Sequence, residues 1–225
     1  MEPGKLLVTT GSPTSTSVKT ETFDVATSTT CKSMPAYPLP IAEATGAFVN
    51  SRVVICGGYH PVTSQCYSLG QNENEWKPSG NLITPRYSAA SAVINDKLII
   101  FGGYNAGNLQ STEEIDVAAG TASQGPSMPL AMVYHCAVKL NTSTVLIIGG
   151  YGSSYLRSTY FYSFKEKTFK AGPDLKATRS RHECALLDTG TASYVVVTGG
   201  YGDSGYLDST EYMDCNEPTI WKTGL

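Results

Sequence analysis

Five short apolar runs punctuate the chain, and each stops abruptly at glycine. The first, Leu-Leu-Val-Thr-Thr-Gly, ends at Gly11; the others start at Val53, Leu98, Val145 and Val195 and end in Gly-Gly-Tyr. The runs are short, rich in Val, Ile and Leu, and bounded by turn residues, which predicts strands rather than helices. After the glycines the pattern turns polar and resumes as strand at a Ser-Thr pair, preceded by a leucine at Leu109, Leu156 and Leu207. An aromatic or proline-rich segment follows, marked by Trp76, Met128, Phe169 and Trp221. Another strand-like segment then leads into the next apolar run; in two units it follows an arginine, Arg86 or Arg179.

The closing glycines stand at 11, 58, 103, 150 and 200, giving spacings of 47, 45, 47 and 50 residues. A period in that range, carrying four strands and no helix per unit, predicts an all-β propeller. The tandem pattern resembles Kelch repeats over almost the whole chain. In that family each blade has an inner strand, a second strand ending in the glycine pair, a third strand, and an outer strand opening with tryptophan. The resemblance implies one propeller over residues 1–225, with units at about 5–40, 41–82, 86–130, 131–175 and 179–225. The first unit departs from the pattern, with Thr10 in place of its first glycine and no tryptophan in its outer strand. In this register the chain opens on a second strand and stops inside an outer strand, so the expectation is about five blades, the first and last incomplete, from a larger propeller.

The glycine pairs, Gly57 with Gly58, Gly102 with Gly103, Gly149 with Gly150 and Gly199 with Gly200, suit a sharp exit and close approach of neighbouring backbone. A phosphate-cradling loop is the competing reading, but no helix follows and no Gly-Lys-Ser/Thr occurs. The tyrosines that come next, Tyr59, Tyr104, Tyr151 and Tyr201, offer aromatic surface for packing between blades.

Net charge is -3 and charged residues are 16% of the chain, with no cluster of Lys and Arg, so a nucleic-acid partner is not expected. The densest basic stretch, residues 164–170, also carries a glutamate and reads as a solvated edge. No apolar run reaches membrane-span length and no signal peptide is visible, so membrane insertion is not expected.

Cys56 and Cys66 fall on the second and third strands of one unit, which should pair antiparallel, so the two side chains can meet at disulfide distance; free cysteine as a small buried residue is the competing reading. The surrounding pattern, with Cys31 upstream, resembles extracellular Kelch-containing proteins of animals and favours an extracellular over a cytoplasmic address. Cys136 and Cys184 align with each other on inner strands. Since the aligned positions in other units are Gly46 and Ser91, a site accepting Gly, Ser and Cys suggests tight packing; a bridge between them is disfavoured because neighbouring inner strands diverge around a channel. Cys31 and Cys215 stay unassigned. His60, His135 and His182 lack the close paired spacings of a zinc site. No cofactor, metal site or catalytic residue is expected. One glycosylation sequon, Asn141-Thr142-Ser143, lies in a turn between inner and second strands.

These readings point to a non-enzymatic protein-interaction module, with recognition on loops carried by a rigid scaffold. The loops after the glycine pairs vary while the frame repeats. Candidate contacts to a protein ligand are Arg86, Arg157, Arg179, Arg181 and the four post-glycine tyrosines, although Arg86 and Arg179 recur in register as structural residues would. Two alternatives come from the resemblance: the substrate-recognition part of an intracellular ubiquitin-ligase adaptor, and a fragment of a copper enzyme similar to galactose oxidase.

Overall fold

The computed structural model describes residues 34–224, Thr27 and the backbone of three strands further upstream. Thr10, Gly11 and Cys31 lie outside the described residues. Strands β1 (Lys5–Thr9), β2 (Thr20–Asp24) and β3 (Thr29–Thr30) form a three-stranded sheet. Four four-stranded sheets follow, each an antiparallel meander in chain order. Sheet I is β4 (Thr45–Val49), β5 (Arg52–Cys56), β6 (Gln65–Gly70) and β7 (Lys77–Asn81). Sheet II is β8 (Ala90–Ile94), β9 (Lys97–Phe101), β10 (Thr112–Asp116) and β11 (Thr121–Gln124). Sheet III is β12 (Cys136–Lys139), β13 (Thr144–Ile148), β14 (Thr159–Ser163) and β15 (Thr168–Ala171). Sheet IV is β16 (Glu183–Asp188), β17 (Ser193–Thr198), β20 (Thr210–Asp214) and β21 (Lys222–Thr223), with the small hairpin β18 (Tyr201–Gly202) and β19 (Gly205–Tyr206) inserted after its second strand. First strands of successive sheets pack side by side, β4 on β8, β8 on β12 and β12 on β16. The fold is all-β, with blade-like sheets that do not close into a ring among the described residues.

Each seam between sheets holds its own core. Leu98 and Ile100 of β9 pack towards sheet I with Val54 and Ile115, while Ile99 and Phe101 of the same strand pack towards sheet III with Val145 and Ile147. Leu146 and Ile148 face Val195 and Val197 of sheet IV. The second strands of sheets I to III are thus buried on both faces, which is why their sequence is a continuous apolar run instead of an alternating one, whereas β17 of sheet IV fully buries only Val195 and Val197. The outer-strand tryptophans lock the seams: Trp76 Nε1 donates to the Pro35 carbonyl (3.0 Å) and Trp221 Nε1 to the Pro173 carbonyl (3.0 Å) of the preceding segment. Inner and second strands of sheets I and II join through two-residue turns at Asn50-Ser51 and Asn95-Asp96. All four residues have positive φ, the type I′ geometry that Asn and Asp tolerate best.

The Gly-Gly-Tyr motif is a junction between sheets. A Cβ on Gly57 would sit 2.3 Å from the Arg86 carbonyl oxygen of sheet II, one on Gly102 2.6 Å from the Met132 carbonyl oxygen of sheet III, and one on Gly149 2.6 Å from the Arg179 carbonyl oxygen of sheet IV. The second glycine donates its N–H to that same carbonyl: Gly58 to Arg86 (2.8 Å), Gly103 to Met132 (3.0 Å), Gly150 to Arg179 (2.8 Å). The last pair, Gly199 and Gly200, departs from this pattern. No sheet follows sheet IV among the described residues, so a Cβ on Gly199 would find its nearest neighbour 3.8 Å away, at Leu207 of its own loop. Gly200 keeps only the contact within its own sheet, where a Cβ would fall 2.5 Å from the Ser180 carbonyl oxygen. The tyrosine then pairs with the lead-in segment of its own sheet, as in Tyr104 with Tyr87 and Tyr201 with Ser180. The recurrent spacing to leucine closes the loop, because Leu109, Leu156 and Leu207 donate back to the carbonyls of Gly103, Gly150 and Gly200.

Arg86 and Arg179 are 1% and 0% exposed, so the expectation that they reach a partner is corrected: they are internal clamps. Arg86 bonds the Gly102 carbonyl (2.7 Å), Ser111 and the Glu113 carboxylate; Arg179 bonds the Gly199 carbonyl (2.9 Å), Ser209 and Glu211 (2.8 Å). Each glutamate also accepts two backbone N–H groups of the crossing segment, Ile83 and Thr84 for Glu113, Lys176 and Ala177 for Glu211. In sheet III the equivalent positions are Met132 and Tyr160, and in sheet I they are Ile41 and Tyr67. Where the glutamate is missing, the position of Ile83 is a proline, Pro129 or Pro38, which has no N–H to satisfy. Ion pair and donor are therefore exchanged as a unit, as the cost of stranding a buried charge requires.

Both disulfides sit at positions where other sheets use hydroxyls. Cys56 and Cys66 are directly opposed on β5 and β6, with S–S 2.05 Å; the same place in sheet IV holds Thr198 and Thr210, hydrogen-bonded at 3.1 Å. Cys136 and Cys184 are also bridged, which overturns the expectation that they stay apart. Their register explains it. Cys184 lies opposite Val197, level with Gly46 and Ser91, but Cys136 lies opposite Ile148, one residue out of phase. Alternation along the strands turns the two side chains towards each other across the seam. Thr45 and Ser91 stand in the same relation between sheets I and II, and their hydroxyls bond at 2.9 Å.

Candidate functional site

Because every second strand of sheets I to IV ends in Gly-Gly-Tyr, the post-glycine tyrosines collect on one end of the sheets. Tyr59, Tyr87 and Tyr104 form one arc, with ring centroids 4.7 and 5.4 Å apart and His60 against Tyr59 at 3.8 Å. Tyr151, Tyr155, Tyr201 and Tyr206 form a second, with successive centroids 5.1, 5.4 and 5.0 Å apart. Asn108 ties the loops of sheets II and III together, donating to the carbonyls of Tyr151 (3.3 Å) and Gly152 (2.9 Å).

Towards the inner strands, Glu43, Ser88, Tyr134 and Arg181 occupy equivalent positions, all with φ between 53° and 55°. Their backbones form a chain: Ser88 N–H donates to Glu43, Tyr134 to Ser88, and Arg181 to Tyr134, at 2.9, 3.2 and 3.0 Å. This geometry turns the side chains onto the tyrosine-bearing end. The Arg181 guanidinium lies 3.5 Å from the Tyr134 ring centroid and 3.7 Å from the Glu43 carboxylate, a cation–π contact beside a solvent-exposed ion pair.

A cleft of about 330 Å³ opens here, lined by Tyr134, Tyr151, Tyr155, Ser180, Arg181, Tyr201 and Tyr206. Tyr206 is 92% exposed and stands at its rim. Burial raises the Tyr155 and Tyr87 hydroxyls above the ordinary phenol value, and neighbouring tyrosines add to both shifts. These hydroxyls remain protonated donors through the physiological range. The arrangement offers flat aromatic faces, several hydroxyl donors and one cation, a composition suited to holding an extended chain.

Beneath this face lie His135 and His182, buried next to Tyr134 and Arg181 in sequence. Neither ring nitrogen of either histidine meets a partner with hydrogen-bond geometry. Desolvation pulls His135 down to about 4 against the opposing influence of the Phe101 backbone, and pulls His182 to about 3 with help from Arg179 and His135.

Of the arginines singled out from the sequence, Arg181 alone lines the cleft. Arg157 pairs with Asp174 at 3.2 Å on the surface. Tyr59, Tyr104, Tyr151 and Tyr201 all lie on the aromatic face. Sequence reading missed Tyr87, Tyr134, Tyr155 and Tyr206, which fall on it too. The available signal was register: Tyr87 directly follows the clamp arginine, and Tyr155 and Tyr206 precede the loop-closing leucine.

Residues 85–129 match the family model of the Kelch motif. They span sheet II, from the residue before Arg86 to the end of the closing segment, and sheets I and III repeat its glycine junction with the next sheet. No curated protein matches the sequence.

Proposed function

We propose that this Kelch-repeat propeller chain is a non-enzymatic protein-interaction module whose tyrosine-bearing end receives the partner. The observation that carries the reading is the gathering of tyrosine rings on one end, in two arcs. Eight tyrosines from four sheets share one end, and the backbone beneath them is fixed by the glycine junctions, so their display costs little ordering on binding. Tyrosine and arginine are the side chains that concentrate interface energy. Two disulfides favour an oxidising, extracellular setting for the interaction over an intracellular adaptor.

Cross-linking the protein to its surroundings in its own source, followed by mass spectrometry of the linked peptides, tests this. Links should map to the tyrosine-bearing loops. Arg181→Ala with Tyr206→Ser should abolish them, while Lys139→Ala at the opposite end of sheet III should not. Links that survive the first variant and vanish in the second would overturn the assignment of the binding face.

A further inference from the structure

We infer that Asn141 is an N-glycosylation site that carries its glycan on the end of the propeller opposite the tyrosine face; this rests on the extracellular reading above. Asn141-Thr142-Ser143 is the chain's single Asn-x-Ser/Thr sequence with x other than proline. The structure places it in the turn between β12 and β13, with Asn141 and Thr142 outside the strands. The Asn141 Oδ1 accepts the Ser143 backbone N–H at 2.9 Å and its hydroxyl at 3.2 Å, both on the exposed surface. Those two donors hold the carboxamide oxygen against the turn. Asn141 itself is exposed, its amide nitrogen is not the atom these bonds engage, and the hydroxyl that the sequon requires already touches the carboxamide.

The location separates this modification from binding. β13 starts after Ser143 and ends at Ile148, so its five residues hold the sequon about 16 Å from the glycine junction at the other end. The turn is also anchored: Leu140 donates to the Thr144 carbonyl (2.9 Å), and Phe164 N–H donates to Ser143 (2.8 Å). A glycan here leaves the tyrosine cleft open and covers the opposite loop end, limiting partners to one face.

The chemistry is a transfer from a lipid-linked oligosaccharyl diphosphate. A bond forms between Asn141 Nδ2 and the anomeric carbon of the sugar as the bond from that carbon to the phosphate oxygen breaks. The amide gives up one proton to the transferase, and the lipid diphosphate leaves.

The test is peptide mapping of the protein from its own source under non-reducing conditions, with and without an amidase that cleaves N-glycans. The expected result is a peptide spanning Asn141 seen only after treatment, with that residue converted to aspartate. Bridged Cys56–Cys66 and Cys136–Cys184 peptides beside an unmodified Asn141 would overturn the glycosylation inference alone. Free thiols at all four cysteines with an unmodified Asn141 would overturn the extracellular reading as well. Ser143→Ala and Asn141→Gln should each abolish the modification, whereas Ser143→Thr should preserve it; persistence in Ser143→Ala would also overturn the assignment.

Discussion

Replacing Arg86 by methionine alone should be among the most damaging single changes available, and the reason lies in what it strands. Arg86 and Glu113 are both almost fully buried, and burial pulls the guanidinium down from its ordinary value while Glu113 pushes it back. Without the arginine, the Glu113 carboxylate keeps only the N–H groups of Ile83 and Thr84, and the Gly102 and Ser111 carbonyls lose a donor. Breaking one side of a buried pair costs about 3–5 kcal/mol, which for a chain of this size is a fall in Tm of about 6–20 °C. Sheet III shows how to remove the pair without that cost. Installing its solution, Ile83→Pro with Arg86→Met and Glu113→Tyr, deletes charge, counter-charge and one orphaned donor together. The triple variant should lie within about 1–2 kcal/mol of the wild type. Urea unfolding followed by tryptophan fluorescence measures all three states, with Glu113→Tyr alone as the remaining corner. A triple variant as unstable as Arg86→Met, or a cost of less than about 1 kcal/mol for Arg86→Met, would refute the buried-pair account.

The hydroxyl pair at the first seam invites a third bridge: Thr45→Cys with Ser91→Cys should oxidise spontaneously and raise stability by about 2–4 kcal/mol, read by thiol titration and thermal unfolding. Gly149→Ala should cost well over the about 1–2 kcal/mol of left-handed backbone strain because its Cβ meets the Arg179 carbonyl at 2.6 Å. Gly199→Ala, with its nearest neighbour at 3.8 Å, should cost only that strain, and calorimetry distinguishes the two. The buried histidines set an acid limit. Their folded pKa values lie below the ordinary 6.5, so stability is complete above about 6.5 and falls as the unfolded chain takes up protons that the folded one refuses. For His135 the loss between pH 6.5 and about 4 is roughly 3 kcal/mol. His135→Ala, which copies Ala89 of sheet II, should flatten that part of the stability–pH curve, whereas an unchanged slope would show that the histidine titrates normally.

Local chemistry wrote much of this architecture into the sequence. Doubly buried second strands must be continuously apolar, and close crossings must be glycine, so the period, the strand order and the tyrosine-bearing end were legible from Val53 to Tyr201. The Cys56–Cys66 pairing was legible for the same reason, since it depends only on two adjacent antiparallel strands. Contacts between sheets were not. Gly199 and Gly200 read like the other pairs, yet their surroundings differ because the next sheet is what makes the crossing tight. Whether Cys136 meets Cys184 depends on a one-residue phase difference between strands 48 residues apart. The roles of Arg86 and Arg179 depend on a glutamate two strands away, Glu113 or Glu211, which follows the recurrent Ser-Thr pair. Tyr134 and Arg181 reach the cleft only because the backbone there adopts positive φ under hydrogen bonds from neighbouring sheets. A repeat sequence determines the unit because each unit's core is local; how units meet is set by side chains that find one another only after the sheets have packed.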